Sequence, residues 1–273
     1  MTDFLFHNRR AWDDRVRRGQ AHTRPARDGA LAQAAETASV HDWVDTSLAG
    51  QRVLCLAAGG GKHGPVYAAA GAQVTVVDLS PRMLERDRHI AASRSLSIHT
   101  LETSMDDLSA LESAQFDLVV QPVSTCYVPD IRKVYAEVAR VLRAGGLYIS
   151  QHKQPACLQA ETPSRDGGYR IREPYYRSGP LPESTMDTGH REAGCMEFLH
   201  RWEQLIGGLC RSGFVIEDLR EPRSNDASAA PGTLAHRSHY LPPFVAMKAR
   251  RVGSKGTPSE SIETTSALWV PGS

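Results

Sequence analysis

A surplus of charge of either sign is absent from this chain. Its 273 residues include 32 Lys and Arg against 31 Asp and Glu, which gives a formal net charge of +1. Without a surplus of positive charge, no long-range field draws nucleic acid or an anionic membrane surface to the protein. The composition therefore argues against both of them as partners.

Long apolar runs and paired cysteines are missing too. The first residues, MTDFLFHNRRAWDDR, keep their apolar side chains in short stretches, so neither a signal peptide nor a membrane span is predicted. The five cysteines are odd in number and none are spaced C-x-x-C, which argues against a disulfide framework and against a zinc knuckle. No other metal-ligand spacing stands out. We expect reduced thiols, no metal and a cytoplasmic protein.

The most informative segment is residues 52–86, RVLCLAAGGGKHGPVYAAAGAQVTVVDLSPRMLER. An unbroken apolar run at 52–57 predicts a central parallel strand that is covered on both faces. A glycine loop and a helix follow, and then a second strand at 73–77 that ends in Asp78. Gly59, Gly61 and Gly64 spell G-x-G-x-x-G, and Asp78 follows Gly59 by 19 residues. The segment predicts the first half of a nucleotide-binding α/β domain, and its literal pattern is that of a dinucleotide site.

The alternation of strands and helices continues to residue 150. Further strands are predicted at 97–101, 116–120, 147–150, 214–219 and 243–249, with helices at 8–18, 31–48, 80–93, 130–143 and 199–213. Residues 153–198 lack clear periodicity and are interpreted as an insertion with short strands such as 169–172. The stretch 220–239 joins the last two strands without a helical period. Since a parallel crossover needs a helix, the seventh strand is predicted to be antiparallel.

Four segments resemble the class I S-adenosylmethionine (SAM)-dependent methyltransferases. VLCLAAGGG is similar to motif I, usually V-L-D-[LV]-G-x-G-x-G, and VVDLSPRML is similar to motif II. TSMDDLS stands where the adenine-contacting loop falls, and residues 116–150 resemble the signature of strand four, helix and strand five. Two departures lie in motif I, where Cys55 replaces the acidic residue and Ala57 replaces the first glycine. The resemblance implies a Rossmann-like seven-stranded sheet with an antiparallel last strand and helices on both faces.

The fold class is therefore α/β, with added parts. We predict an N-terminal helical lid at 1–48, a SAM-binding domain at 49–252 with a substrate-facing insertion at 153–198, and a flexible tail at 253–273.

Cofactor contacts are expected at the carboxyl ends of the strands. Glycines let the loop backbone approach a ligand, and Asp78 can accept hydrogen bonds from both ribose hydroxyls. Leu79 and Met83 suit packing on the adenine face, or in the core. The resemblance implies that Met105 and Asp106 contact adenine and that Gln121 lies near the methionine amino group. The predicted cofactor residues are Ala57, Gly59, Gly61, Asp78, Leu79, Met83, Met105, Asp106 and Gln121.

Candidate catalytic residues also follow the strands. His152 comes directly after a central strand, Tyr127 follows strand four, and His200 begins the helix after the insertion. A base is needed only if the acceptor must lose a proton. For His200 a pocket-wall role is favoured. Substrate contacts are predicted at Trp12, Tyr169, Tyr176 and Tyr240, although the insertion tyrosines also suit packing on the sheet.

The sequence thus predicts methyl transfer from SAM to a small molecule of secondary metabolism. The insertion suits an aromatic or heterocyclic acceptor, with indole C3 of a tryptophan cyclodipeptide as one example, and a homodimer is a candidate assembly. The literal glycine pattern keeps an NAD-dependent oxidoreductase as the alternative. Cys55 and Ala57 keep a non-catalytic SAM-binding module open. Nucleic-acid methylation is disfavoured by the net charge and by Gln121-Pro122, where a D-P-P-Y type motif is expected.

Overall fold

A single sheet organises the computed structural model, which describes residues 3–39, 42–44, 47–161 and 167–253. Its seven strands are β1 Arg52–Leu56, β2 Gln73–Asp78, β3 Ile98–Glu102, β4 Phe116–Gln121, β5 Leu142–Lys153, β6 Phe214–Arg220 and β7 Phe244–Arg251. They are arranged in the order β3-β2-β1-β4-β5-β7-β6. Strands β1 to β5 pair in parallel, and β7 lies antiparallel between β5 and β6. The predicted fold class and the reversed last strand are confirmed.

Helices cover both faces of this sheet. They are α1 Asp3–Arg17, α2 Asp28–Ala32, α3 Ala34–Ala38, α4 His63–Ala69, α5 Pro81–Ser93, α6 Ile131–Val141, α7 Pro155–Gln159, α8 Gly208–Arg211 and α9 Leu234–Arg237. Short 3₁₀ turns span Ala21–Thr23 and Thr125–Tyr127, and a π-helical turn, Glu203–Gly207, leads into α8.

The apolar run of β1 supplies both halves of the core. Leu54 and Leu56 pack with α6 and α8 on one face, whereas Val53 and Cys55 pack with α4 and α5 on the other. Alternate side chains of a strand point to opposite faces, so only a strand covered on both faces is apolar throughout. All four of these side chains are fully buried.

Two helix starts place the chain at the carboxyl edge of the sheet. Ser80 caps α5 by accepting a hydrogen bond from the Met83 amide (3.1 Å), and Pro81 fills the first turn. Asp130 caps α6 by accepting from the Arg132 amide (3.1 Å). Both helices therefore begin directly beside the ends of β2 and β4.

Several predicted boundaries are wrong. The helix predicted at 31–48 is broken at Gln33 into α2 and α3, and residues 40, 41, 45 and 46 lie outside the described residues. The helix predicted from 199 begins at about Trp202. The strand predicted at 169–172 is a single antiparallel bridge between Ala160 and Ile171. β5 continues to Lys153 because β7 pairs with it up to Phe244. The predicted tail at 253–273 lies almost wholly outside the described residues.

Candidate active site

The glycine loop between β1 and α4 occupies the centre of the carboxyl edge. Ala57 opens it at φ +48°, a left-handed conformation that non-glycine residues seldom adopt. Gly60 and Gly61 follow at φ +108° and +75°. Ala57 stands where the related motif has glycine, and alanine adopts this left-handed backbone despite its Cβ.

Gly59 is packed directly against β2 and α5. A Cβ at this position would lie 2.8 Å from Asp78 Oδ2 and 2.8 Å from Met83 Cβ. Asp78 accepts hydrogen bonds from the amides of Gly59 (2.9 Å) and Ser80 (2.9 Å). Burial raises the pKa of Asp78 to about 6. The carboxylate therefore holds the loop, and its predicted contact with ribose remains a prediction.

A second carboxylate holds the same loop from α5. Asp87 is fully buried, and its Oδ2 accepts a hydrogen bond from the Gly60 amide at 2.8 Å. Burial raises the pKa of Asp87 to about 7, since the loop amides offset only part of the desolvation. Neighbouring loop amides are thus bound by two different carboxylates.

A cavity of about 560 Å³ lies beyond the ends of β2 and β3, between α1 and the start of α6. Leu79, Ser104 and Asp106 line one side of it, and Phe4 and Arg9 of α1 line another. The structure thus brings Leu79 and Asp106 to one cavity, and their contact with a cofactor remains a prediction. Met83 instead packs under the glycine loop, and Met105 is buried in the core beneath α6.

Gln121 ends β4 with its side chain fully engaged. Its Oε1 accepts from the Tyr148 hydroxyl (2.6 Å), and its Nε2 donates to Ser124 Oγ (2.9 Å) and to Met105 Sδ (3.2 Å). Only 1% of the residue is exposed. The expected contact with the methionine amino group remains a prediction, and the structure gives Gln121 a role in joining β4 to β5.

Helix α1 lies across the carboxyl edge. The buried Asn8 amide donates to the carbonyl oxygens of Tyr127 (3.1 Å) and Met196 (3.0 Å) and accepts from the Met196 amide (2.8 Å). One turn further on, Asp13 accepts a hydrogen bond from Ser80 Oγ (2.6 Å). These bonds join α1 to the β4 end, to the insertion and to the β2 end at the same time.

Both predicted catalytic histidines are buried and hold the turn after β4. His152 places Nδ1 2.8 Å from Thr125 Oγ1 and Nε2 2.8 Å from Ser150 Oγ, and burial lowers its pKa to about 3. His200 Nε2 donates to the Thr125 carbonyl oxygen (2.9 Å), and burial lowers its pKa as well. A general-base role for either histidine remains a prediction. The geometry favours a structural role, because both nitrogens of His152 already have partners.

Tyr127 lies beneath α1 in a buried polar cluster. Its ring meets Trp12 edge-on, with 5.6 Å between ring centroids, and its hydroxyl donates to Glu192 Oε2 at 2.7 Å. Glu192 and Glu197 both form ion pairs with the ammonium of Lys153, and that ammonium lies 5.5 Å from the Tyr127 ring centroid. Burial raises the pKa of Tyr127 well above its ordinary value, and Glu192 raises it further. The phenol therefore acts as a hydrogen-bond donor.

The other predicted substrate residues lie elsewhere. Tyr169 and Tyr240 pack with His236, and Arg237 lies 4.7 Å from the Tyr169 ring centroid. Arg237 donates to the carbonyl oxygens of Cys157 and Ala160, so this aromatic group stabilises the insertion. Tyr176 is 77% exposed, with Arg201 over its ring. Of the four predicted residues, the structure brings only Trp12 to Tyr127.

The structure adds functional candidates that the motifs did not identify. They are Asp87 under the glycine loop and Lys153 and Glu192 beside Tyr127. Asp87 had a sequence signal, because it occupies a position on the apolar face of α5 together with Met83, Leu84 and Ala91. Glu192 had none, since its partners are remote in the chain.

Metal-ligand clusters and membrane-spanning helices are both absent from the part of the chain that the structure describes. There, no three His, Cys, Asp or Glu side chains are grouped so that they could hold a metal ion. Nor does any helix in those residues have the length and apolar character that a membrane span requires.

These residues fit a nucleoside cofactor with an attached amino acid. The cavity offers the apolar Leu79 for a base and the Asp106 carboxylate for an exocyclic amine. Gly59 has no room for a Cβ because Asp78 and Met83 fill that space, so the glycine loop packs tightly on the end of β2. Asp78 lies between the two, at the end of β2, where a ribose is expected.

Comparisons with known proteins agree with this geometry. A family model described as "Methyltransferase domain" matches residues 54–150. The chain is 34% identical over 236 residues to the uncharacterized methyltransferase YbaJ of Bacillus subtilis. The matched residues cover 82% of this chain and 92% of YbaJ. An S-adenosylmethionine-dependent methyltransferase structure from Mesorhizobium loti gives a TM-score of 0.62 at 25% identity, over 81% of this chain and 100% of that one. A Listeria monocytogenes structure at 19% identity shares the fold, with a TM-score of 0.63 over 82% of this chain and 99% of its own.

Proposed function

Because the chain belongs to the class I SAM-dependent methyltransferases, we propose that it methylates a small aromatic or heterocyclic molecule held beneath α1. SAM is its cofactor, and when bound it supplies a methyl group activated by a positively charged sulfur. Gly59, Asp78, Leu79 and Asp106 are the residues that would hold it. The observation that carries the proposal is the position of α1 over the carboxyl edge of the sheet.

The position of α1 over the carboxyl edge supports a small acceptor. Asn8 is only 2% exposed, and its three hydrogen bonds hold α1 to the turn after β4 and to the insertion. A nucleic acid duplex or a folded protein would reach the edge only if these bonds broke. The formal net charge of +1 also provides little attraction for nucleic acid. A small acceptor can reach the edge without breaking these bonds and without a surplus of positive charge on the protein.

The chemistry of the acceptor follows from the side chains beneath α1. Trp12 is half-buried and offers aromatic surface above the buried Tyr127 ring, and aromatic rings prefer edge-to-face or offset contacts with other rings. Glu192 offers a carboxylate beside them. Burial alone would raise its pKa, but the Lys153 ammonium holds the pKa below its ordinary value, so the group stays ionised. An aromatic ring that carries an N–H or O–H group matches this surface.

The proposed contribution of these residues is positioning. Glu192 in this state is a weak base, and Tyr127 keeps its proton, so neither group is suited to remove a proton from the acceptor. The carboxylate of Glu192, held in place by Tyr127 and Lys153, can orient an acceptor N–H or O–H by accepting its hydrogen bond. Holding the attacking atom in line about 3–3.5 Å from the methyl carbon supplies a large part of the rate enhancement of such a reaction.

The test uses the full-length chain and SAM labelled in the methyl group. Catechols, hydroxyindoles and tryptophan-containing cyclodipeptides, whose indole C3 is one predicted target, are incubated beside bulk tRNA and denatured protein. The proposal expects label in at least one small acceptor. Label confined to tRNA or to protein would contradict it.

Two variants then locate the acceptor. Trp12→Ala is expected to raise the acceptor KM about tenfold, since it removes an aromatic contact surface, while the affinity for S-adenosylhomocysteine stays within about twofold. Tyr176→Ala removes an exposed tyrosine and is the matched control, with no expected change. Equal effects of the two substitutions would contradict the assignment of Trp12.

A further inference from the structure

The glycine loop rests on a buried carboxylate that no family motif supplies. In motif I of related enzymes the acidic residue belongs to β1, and here that position is Cys55. Asp87 of α5 reaches the loop from below instead, with its Oδ2 2.8 Å from the Gly60 amide nitrogen. The same amide also donates to the Met83 carbonyl oxygen at 3.0 Å, so α5 binds the loop at two points.

Cys55 and Asp87 face the same space. Cys55 packs on the α4 and α5 side of the sheet and is fully buried, as is Asp87. Gly64 lets the carboxylate lie close to α4, because a Cβ there would lie 3.0 Å from Asp87 Oδ1 and 2.5 Å from Val76 Cγ2. A carboxylate from β1 and one from α5 could not both occupy this space without strong repulsion.

A buried carboxylate is unfavourable unless its surroundings offset the lost hydration. Cys55, Val76 and Leu84, which surround the base of the loop, are apolar and offer little compensation. Partial compensation comes from the loop itself, whose Gly60 amide donates to Asp87 Oδ2, whereas Oδ1 has no hydrogen-bond partner among the described residues. Since the buried neighbours of Asp87 are apolar, the carboxylate is explained by what it does to the loop.

We propose that Asp87 is a positioning residue for the cofactor. It fixes Gly60 from α5 while Asp78 fixes Gly59 from β2, and it replaces the carboxylate that Cys55 does not provide. The loop then presents its backbone in the conformation that binds SAM. The proposal depends on the family assignment and not on the identity of the acceptor.

The experiment measures S-adenosylhomocysteine affinity by calorimetry on the full-length protein. Asp87→Ala is expected to weaken binding roughly tenfold to a hundredfold, the range for losing a charged hydrogen-bond partner. Asp87→Asn is nearly isosteric and keeps one oxygen acceptor, so it provides a folded variant with a loss of about tenfold. With any acceptor, the KM for SAM should rise by a similar factor, and kcat at saturating SAM should change less than about twofold.

Three comparisons decide the outcome. Glu85→Gln removes an exposed carboxylate from the same helix and is expected to leave affinity unchanged. Cys55→Asp combined with Asp87→Ala should recover much of the affinity lost in Asp87→Ala, because it returns a carboxylate to the same space. Folded Asp87 variants that bind S-adenosylhomocysteine as tightly as the parent would overturn the proposal. A double variant that binds no better than Asp87→Ala would overturn the claim that the two positions serve one role.

Discussion

Ala57 shows how a single residue accommodates the glycine loop. Its φ of +48° belongs to a region where a Cβ costs roughly 1 kcal/mol. A branched side chain is still less compatible with it. We expect Ala57→Val to lower the free energy of unfolding by more than about 2 kcal/mol, and Ala57→Gly to change it by less than about 1 kcal/mol. Urea unfolding curves of the three proteins measure this, and equal losses in both variants would contradict the strain at Ala57.

The two carboxylates under the loop predict a pH dependence of stability. Burial raises the pKa of Asp78 to about 6 and that of Asp87 to about 7, from ordinary values near 3.8. Between about pH 4 and pH 7 the folded protein therefore binds more protons than the unfolded chain. Stability contributed by these groups is present below this window and falls as pH rises through it.

Asp87→Asn removes one of the two titrating groups. We expect the free energy of unfolding of the ligand-free parent to decline more between pH 5 and pH 8 than that of the variant, by on the order of 2 kcal/mol. The neighbours Asp78 and Cys55 remain in both proteins, so the difference isolates Asp87. Parallel pH profiles in urea titrations would show that Asp87 is already ionised at pH 5.

How far single residues could be predicted depended on where their partners lie. Gly59, Asp78 and Leu79 were predictable, because the loop and the end of β2 are close in sequence and must meet at the edge of a parallel sheet. The position of Asp87 on the apolar face of α5 indicated burial, but its role and that of Glu192 were not predictable, since they depend on Gly60 and Tyr127 across the fold. His152 stood at the correct edge, but its Ser150 and Thr125 partners were invisible in a linear pattern.

At the scale of elements, specific side-chain hydrogen bonds join α1 to the carboxyl edge of the sheet. Asn8→Ala would leave the buried carbonyl oxygens of Tyr127 and Met196 without their amide donor. We expect a loss of about 2 kcal/mol in the free energy of unfolding, together with faster proteolysis within residues 3–17. Limited proteolysis and urea unfolding measure the two effects.

Arg10→Ala is the matched control for α1, because Arg10 is exposed on the same helix. Its stability and its rate of cleavage should equal those of the parent. If Asn8→Ala behaved like this control, α1 would not be held over the edge by Asn8.

Helices and strands were predicted correctly where residues close in the sequence determine them. Their bounds were missed where pairing with a distant strand sets them. The polar connection before β7 correctly predicted an antiparallel strand, since a segment with only the short α9 cannot form a parallel crossover. The length of β5 could not be predicted from its own residues, because β7 extends it through the pairs from Leu147 to Lys153. The break between α2 and α3 at Gln33 could not be predicted, because neither Pro nor Gly stands at that position.

At the scale of the whole molecule, a nearly neutral chain buries one small cluster of charged side chains. Lys153 at the end of β5 binds Glu192 and Glu197 of the insertion, and Arg191 binds Glu197 as well. Buried ion pairs of this kind contribute little net stability, but they fix one arrangement of the groups that form them. The insertion, α1 and the sheet are thereby held around one edge, where the cofactor loop and Tyr127 also lie.

The most direct test of this account is thermal unfolding of the purified chain with S-adenosylhomocysteine, NAD or NADP. A ligand at 100 times its dissociation constant stabilises the folded state by about 2.7 kcal/mol, which raises the midpoint by roughly 5–10 °C in a domain of this size. The account predicts this shift with S-adenosylhomocysteine and none with either dinucleotide. A shift with a dinucleotide alone would contradict it, and so would no shift with any of the three.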